Sequence, residues 1–163
     1  LTLTDSLGRT FRTKVKKIRL ERKYIGRKHR ISFPLKFGKT EPMYDFYWQK
    51  LYKYTTEFLE DNDTMMYFTG HACAVGPEYV NNVLSRRRAK RFHEEFLRRL
   101  KQQSPDQFQK VRSRIKKSTG FGESRPLSLE TLSGERIIIG DNATSHGRKL
   151  NRRIELVLVN NSE

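Results

Sequence analysis

The stretch GHACAVG, residues 70–76, is where this sequence concentrates side chains capable of chemistry. It follows a short apolar run, MMYFT, and precedes a long helical pattern. We therefore expect a loop between a strand and a helix, a junction that often carries function. The loop holds the only cysteine of the chain, Cys73, two residues after His71. Such a pair could act as a nucleophile and its base, or contribute to a metal site.

The rest of the sequence supports neither of these chemistries. One cysteine and four scattered histidines fall short of the four ligands of a structural zinc site. His71 and Cys73 lie two residues apart near a strand end and need not meet, and no orienting group completes a catalytic set. We therefore predict no enzyme activity, no catalytic residue, no metal and no cofactor.

The helical pattern after the loop contains an arginine in an unusual position. A helix is predicted from about Pro77 to Lys101, and its apolar face is formed by Leu84, Ala89, Phe92, Phe96 and Leu100. Arg88 falls inside this apolar face, near the start of the helix. A buried cation is unfavourable unless it is paired. The position is therefore explained either by an anion that Arg88 receives or by a side chain that extends along the edge of the stripe to water.

The remaining patterns predict the elements that position these residues. We expect strands at 31–37, with a proline suited to a sheet edge, at 64–70, and at the start of the segment STGFGESRPL. A helix is predicted over about 43–59, and RRIELVLV is predicted as a final strand. The polar segment 101–117 is assigned no element, and SGERIIIGDNATSHGRKLN is predicted as an inserted loop with a short β run. The fold class is α/β (α+β), a two-layer sandwich with helices on one face of a mixed sheet.

Positive charge is the main feature of the composition. Lys and Arg number 34 against 18 Asp and Glu, a net charge of +16, which favours nucleic acid, anionic lipid or an acidic wall polymer as a partner. Residues 9–30 hold eleven of these cations and one acid. We treat residues 1–30 as a basic extension, either a β-hairpin or the end of a preceding domain, and 31–163 as the main domain.

The aromatic residues fall at core-like positions, so we expect no nucleic-acid binding. No apolar run is long enough to span a membrane, and a chain that begins with Leu1 is expected to be a fragment or a mature form.

Four local motifs occur in one order along residues 31–160. The first, G-H-T-D-x-x-G, is met by the glycines and the histidine of the 70–76 loop. The second, Y-N-x-x-L-S-x-x-R-A, falls at the start of the long helix, with Asn81 one place further from Tyr79 than in the pattern. The second motif is matched by Asn81, Leu84, Ser85, Arg88 and Ala89. The third motif, G-x-G-E-x-x-P, is matched by Gly120, Gly122, Glu123 and Pro126. The fourth motif, N-x-T-x-x-G-R-x-x-N-R-R, is matched by Asn142, Thr144, Gly147, Arg148, Asn151, Arg152 and Arg153.

Together these motifs resemble the OmpA-like domain of outer-membrane protein A, the peptidoglycan-associated lipoprotein and the flagellar stator protein MotB. The resemblance implies a β-α-β-α-β-β sandwich that binds the stem peptide of peptidoglycan, in the periplasm, at the outer membrane or at the cell wall. It also implies that Arg88 receives a diaminopimelate carboxylate in a bidentate fork. The implied ligand-binding residues are Arg88, Asn81, Cys73, His71, Asn151 and Arg152.

The sequence departs from the family at the loop. The family pattern Thr-Asp is Ala72-Cys73 here, and the strand-end pattern Phe-Asp is Phe37-Gly38. A neutral thiol cannot balance a ligand ammonium. Losing such a charge-assisted hydrogen bond lowers affinity about ten- to a hundred-fold. Two hypotheses follow: a cell-wall module with altered or weakened ligand preference, or a structural or protein-interaction domain whose basic N-terminal segment contacts an envelope protein.

Overall fold

A four-stranded mixed sheet with helices packed against it is the centre of this molecule. The computed structural model describes residues 2–4, 10–12, 28–35, 46–60, 64–131 and 133–160. In chain order the elements are β1 (Thr2–Thr4), β2 (Thr10–Arg12), β3 (Lys28–Pro34), α1 (Phe46–Glu60), β4 (Thr64–Gly70), α2 (Glu78–Gln103), α3 (Pro105–Arg114), β5 (Thr119–Gly120), β6 (Ser128–Glu130), β7 (Arg136–Ile138), α4 (Ser145–Asn151) and β8 (Arg153–Asn160).

The order of strands in the main sheet is β3-β8-β4-β5. Strand β8 pairs antiparallel with both β3 and β4, whereas β4 and β5 pair in parallel. The parallel pair requires a crossover, which α2 and α3 provide. Strands β1 and β2 pair antiparallel with each other, as do β6 and β7.

The register of the sheet directs one set of side chains toward the helices. Phe33 lies opposite Ile154, and Phe68 lies opposite Leu156. Side chains alternate along a strand, so these four residues share one face. Against them pack Trp48, Leu51 and Phe58 of α1, Ala89, Phe92, Phe96 and Leu100 of α2, and Val111 of α3. The predicted sandwich with helices on one face is therefore confirmed.

Phe92 joins the layers of this core. Its ring stacks on Trp48 with 4.8 Å between centroids and lies 5.2 Å from the ring of Phe68. Aromatic pairs at such separations add to the stabilisation from their buried area. The long helix α2, to which Phe92 belongs, is thereby fixed against both α1 and the sheet.

The predicted strands and long helices agree with the structure where it describes them. The proline-containing strand lies at the sheet edge as β3, α2 covers the predicted 77–101, and α1 covers most of the predicted 43–59. Two short helices, α3 and α4, lie in segments predicted to have no helix. Only Phe108 and Val111 of α3 pack inward, so its apolar pattern is short. Helix α4 has seven residues and begins with a cap in which Thr144 Oγ1 accepts a hydrogen bond from Gly147 N.

The proposed division at residue 30 falls within β3, which begins at Lys28 and pairs with β8. Upstream of β3, β1 and β2 form a two-stranded antiparallel pair, the arrangement expected of a hairpin. Residues 13–27 and 36–45 lie outside the described residues, and so do the departing residues Phe37 and Gly38. The boundary between extension and domain stays a prediction.

Candidate functional site

The loop 71–76 is held at three points by other parts of the chain. Ala72 N donates to Gly122 O at 2.7 Å, and His71 N donates to Arg153 O at 2.9 Å. Ala74 N donates to the side-chain oxygen Oδ1 of Asn142 at 3.1 Å. The loop ends at Gly76, whose φ of 90° lies in the region that favours glycine. These bonds fix the loop between β5, β8 and the segment before α4.

Two glycines bring α2 unusually close to the strands beside this loop. A Cβ at Gly70 would overlap the backbone of Ser85, and it would also lie 3.2 Å from Ala89 Cβ. A Cβ at Gly120 would lie 2.5 Å from Arg86 Cα. Since the helix backbone rests directly on both strands, the position of Arg88, three residues after Ser85, is fixed relative to the loop.

Arg88, Cys73 and Arg152 form a cluster, which we call the arginine–thiol cluster. Arg88 is 1% exposed and Cys73 is 4% exposed. Arg152 Nη1 lies 3.7 Å from Cys73 Sγ and donates to Arg148 O at 3.0 Å. The structure therefore brings together three of the predicted site residues, from the loop, from α2 and from the start of β8.

Burial and a second cation both act on the charge of Arg88. Desolvation lowers the pKa of its guanidinium below the usual 12.5, and the charge of Arg152 lowers it further, while Cys73 acts in the opposite direction. A pKa that starts so high leaves the group charged at neutral pH. The guanidiniums of Arg88 and Arg152 thus act on each other beside Cys73, and a guanidinium is the group best suited to bind a carboxylate.

Asn81 lies in the first turn of α2, away from this cluster along the helix. It is 3% exposed, and its Nδ2 donates to Glu123 Oε2 at 2.5 Å. The same face of α2 holds Ser85, whose Oγ accepts from Gly122 N at 2.8 Å. Both contacts tie the helix to the turn after β5, so the amide of Asn81 already has a partner within the chain.

Asn151 organises the segment that faces the loop. It is 1% exposed, its Oδ1 accepts from Leu127 N at 2.8 Å, and its Nδ2 donates to Gly140 O at 2.7 Å and to Asn142 Oδ1 at 2.8 Å. Asn142 Oδ1 therefore accepts from both Asn151 and the loop. These bonds indicate that Asn151 supports the segment around Asn142, which in turn holds the loop.

His71 lies on the opposite face of the sheet from Arg88. It follows Gly70, which faces α2, and its Nε2 lies 3.1 Å from Thr69 Oγ1 and 3.4 Å from Glu155 Oε2. Glu155 Oε1 accepts from Arg153 Nε at 2.8 Å. Burial lowers the pKa of His71 below 6.5. The structure thus places His71 in a buried polar network under the loop, and its part in ligand binding stays a prediction.

Asn142 and Glu123 hold the candidate site in place through hydrogen bonds, although the sequence did not assign them to it. Both belong to motifs that were recognised, which was the available signal. A motif does not distinguish a residue that contacts a ligand from one that holds the loop.

Among the described residues, no group of three or more histidine, cysteine or acidic side chains is placed to hold a metal ion. None of the helices that the structure describes is long and apolar enough to cross a membrane.

Solved structures of bacterial envelope proteins share this architecture. The peptidoglycan-associated lipoprotein from Burkholderia pseudomallei matches with a TM-score of 0.51 and 17% identity, over 78% of this chain and 88% of the other. The cell wall anchor of the T6SS from Pseudomonas aeruginosa matches with a TM-score of 0.53 and 17% identity, over 82% of each chain. The periplasmic domain of Helicobacter pylori MotB matches with a TM-score of 0.55 and 13% identity, over 85% of this chain and 80% of the other.

No protein-family model matches the sequence. At these identities the likeness to solved structures establishes the fold. The β-α-β-α-β-β sandwich predicted from the four motifs is the one that the chain adopts, with α3, α4 and the β6–β7 pair added to it. The chain has the OmpA-like fold.

Proposed function

We propose that this chain is a non-catalytic cell-envelope domain that binds the stem peptide of peptidoglycan through a carboxylate on Arg88. The observation that carries the proposal is the arginine–thiol cluster beside the loop between β4 and α2, in which Arg152 lies against Cys73 and both act electrostatically on the buried Arg88. A guanidinium pair is suited to a carboxylate. Two of the similar structures are named as a peptidoglycan-associated lipoprotein and a cell wall anchor, which supports a wall ligand and a periplasmic or wall-associated location.

The affinity is expected to be low for a domain of this type. Cys73 stands where the resembled family has an aspartate, and a thiol is a weak hydrogen-bond partner. Arg88 is also 1% exposed, so a ligand carboxylate has to approach past the groups that cover it, while the half-buried Arg152 is easier to reach. Both features lower the expected affinity.

Binding to purified peptidoglycan sacculi tests this function. Cosedimentation is measured for the wild type, Arg88→Ala and Cys73→Asp, at low and high salt. We expect Cys73→Asp to bind about ten- to a hundred-fold more tightly and Arg88→Ala to bind more weakly by a similar factor, the effect of one charge-assisted hydrogen bond. Thermal unfolding of each variant establishes that it is folded.

Arg87→Ala is the matched control for charge. Arg87 neighbours Arg88 on α2 but is exposed, so its removal takes away the same charge without touching the cluster. Equal losses in the Arg87 and Arg88 variants, abolished by high salt, would show general adhesion of a basic protein to an anionic wall. That result would contradict the proposed function.

A structural or protein-interaction domain is the second candidate. The observations that favour it are the burial of Arg88 and the internal partners of the Asn81 and Asn151 amides. In this case the working surface is the basic segment 1–30, with an acidic envelope protein as partner. Absence of sacculus binding by the wild type and by Cys73→Asp alike would favour this candidate. Binding that only Cys73→Asp displays would identify a cell-wall site that has lost its acid.

A further inference from the structure

The first turns of α2 expose three apolar side chains on the side of the helix that faces away from the core. Tyr79, Val80 and Val83 are 72%, 41% and 51% exposed. Residues three and four apart are neighbours on a helix surface, so Val83 lies beside both of the others. We call these three residues the valine–tyrosine patch. Single exposed apolar side chains are common, whereas a contiguous group marks a surface that binds something.

Basic side chains continue the same stripe along the helix. Arg86 and Arg87 follow Val83 by three and four residues and are exposed, and so is Lys90 in the next turn. Lys90 Nζ lies 3.8 Å from Glu94 Oε1 in an exposed pair, and such a pair adds little stability and opens readily. The outer face of α2 is therefore apolar at its beginning and cationic in the turns that follow.

Charge favours an anionic partner for this face. The acid in the first turn, Glu78, projects about 140° away from Val83 around the helix, because each residue turns the helix by about 100°. The whole chain carries a net charge of +16 with every acid counted. Two copies of the chain that met through this face would bring like charges together, which is strongly disfavoured.

The apolar part of the stripe distinguishes between anionic partners. An acidic wall polymer offers charge but no apolar phase. The valine–tyrosine patch covers on the order of a few hundred Å², whereas each partner in a stable protein interface buries roughly 800 Å². A bilayer surface needs only a small inserted apolar group together with electrostatic attraction, and tyrosine is enriched at the level of the headgroups.

We propose that this face of α2 binds the surface of an anionic phospholipid bilayer. The valine–tyrosine patch enters the headgroup region, and Arg86 and Arg87, one turn further along the helix, contact lipid phosphates. An amphipathic surface of this kind inserts about 5–10 Å, and one helical turn spans about 5.4 Å, so the arginines stay at the level of the phosphates. The buried Arg88 is on the inner side of α2, so this surface is separate from the proposed peptidoglycan site.

Cosedimentation with phosphatidylcholine vesicles, with and without phosphatidylglycerol, tests the proposal. We expect the wild type to bind the vesicles that contain phosphatidylglycerol. The double variant Tyr79→Ser/Val83→Ser loses apolar contact, and Arg86→Gln/Arg87→Gln loses two charges that each contribute about fivefold to binding. Each double variant should bind at least about tenfold more weakly.

Two matched controls remove the same chemistry from other surfaces. Ile137→Ser/Ile138→Ser removes exposed apolar side chains from β7, and Lys116→Gln/Lys117→Gln removes two exposed cations after α3. Both controls should bind like the wild type, within about twofold. Thermal unfolding establishes that every variant is folded.

Insertion is measured directly with Tyr79→Trp and vesicles that contain brominated lipid. Trp48, the tryptophan of the wild type, is buried in the core, so bromine atoms in the bilayer should quench the new tryptophan and leave the wild-type emission almost unchanged. Emission of Tyr79→Trp that brominated vesicles do not quench would place the patch outside the bilayer and overturn the proposal.

Other results assign the patch differently. A folded wild type that does not bind vesicles containing phosphatidylglycerol overturns the proposal and leaves the patch to a protein partner. Equal losses in the Arg86/Arg87 and Lys116/Lys117 variants, with none in Tyr79→Ser/Val83→Ser, would show general adhesion of a basic protein. A dimer in sedimentation velocity that Tyr79→Ser/Val83→Ser abolishes would assign the patch to a second copy. These variants all retain Arg88, so sacculus binding is tested independently.

Discussion

Replacing Gly70 with alanine is expected to lower the free energy of unfolding by about 3 kcal/mol, the upper part of the range for overpacking. The added Cβ would overlap the backbone of Ser85 and lie 2.9 Å from its carbonyl carbon. A side chain in its path could rotate, but a helix backbone can yield only if α2 moves away from β4. Urea unfolding followed by circular dichroism measures the loss.

Gly76→Ala is the control that distinguishes steric overlap of the added Cβ from strain in the backbone. Gly76 has a positive φ of 90° and nothing within 4 Å of the added Cβ, so only backbone strain of about 1–2 kcal/mol is expected. A Gly70 variant that loses no more stability than the Gly76 variant would show that α2 does not rest on β4 as described. A rise in peptide affinity at Gly70→Ala would contradict the fixed placement of Arg88.

Glu155→Gln is expected to destabilise the protein by about 3 kcal/mol at neutral pH. Glu155 is 3% exposed and lies between Arg153 Nε and His71 Nε2. Removing one member of a buried ion pair leaves the other charge uncompensated, a change that typically costs about 3–5 kcal/mol. Arg153, 2% exposed, is the charge left behind.

The stability of the wild type should depend on pH through the same network. The pKa of Glu155 is lowered from 4.5 to about 2, with burial opposing the shift and bonds to His71 and Arg153 producing it. Its contribution is therefore present above 4.5 and is lost as pH falls through about 2. The pKa of His71 is lowered below 6.5 by burial, so the folded state also loses stability as pH falls below 6.5.

Chemical unfolding of the wild type and Glu155→Gln across pH 2 to 8 measures both effects. The difference in unfolding free energy between the two proteins should shrink as pH falls from 4.5 toward 2. Thr69→Val, on the same face and 3.1 Å from His71 without charge, serves as the control for packing. A difference that stays constant over the whole acid range would rule out a charged Glu155 in the folded protein.

The elements that periodicity predicted are those that bury a side chain at regular intervals. Helix α2 shows this over its whole length, with Phe92, Phe96 and Leu100 buried at spacing four. Helix α3 buries only Val111 completely and α4 is held by its Thr144 cap, so neither has a repeating apolar stripe to detect. Local hydrogen bonding and proline placement form these short helices, and such effects leave a weak pattern.

For the site, sequence identified the loop and the inward arginine, and structure supplied the direction of each side chain. His71 and Cys73 are two residues apart, yet His71 bonds on the far face of the sheet and Cys73 meets Arg152. Their sequence spacing alone does not indicate this, because the strand ends between Gly70 and the loop. Arg153 and Glu155 alternate as a solvent-facing strand would, yet they are buried as an ion pair.

The close contact of α2 with Gly70 and Gly120 has a consequence for how ligand preference can evolve. A helix that rests backbone to backbone on two strands cannot slide, so a change at residue 73 alters chemistry without altering the frame around it. Cys73 can then be exchanged by a single mutation while the two arginines keep their places. A library randomised at this one position should yield folded variants that differ in which charged or neutral groups they accept. The proposed carboxylate site can therefore be varied at a single position of this domain.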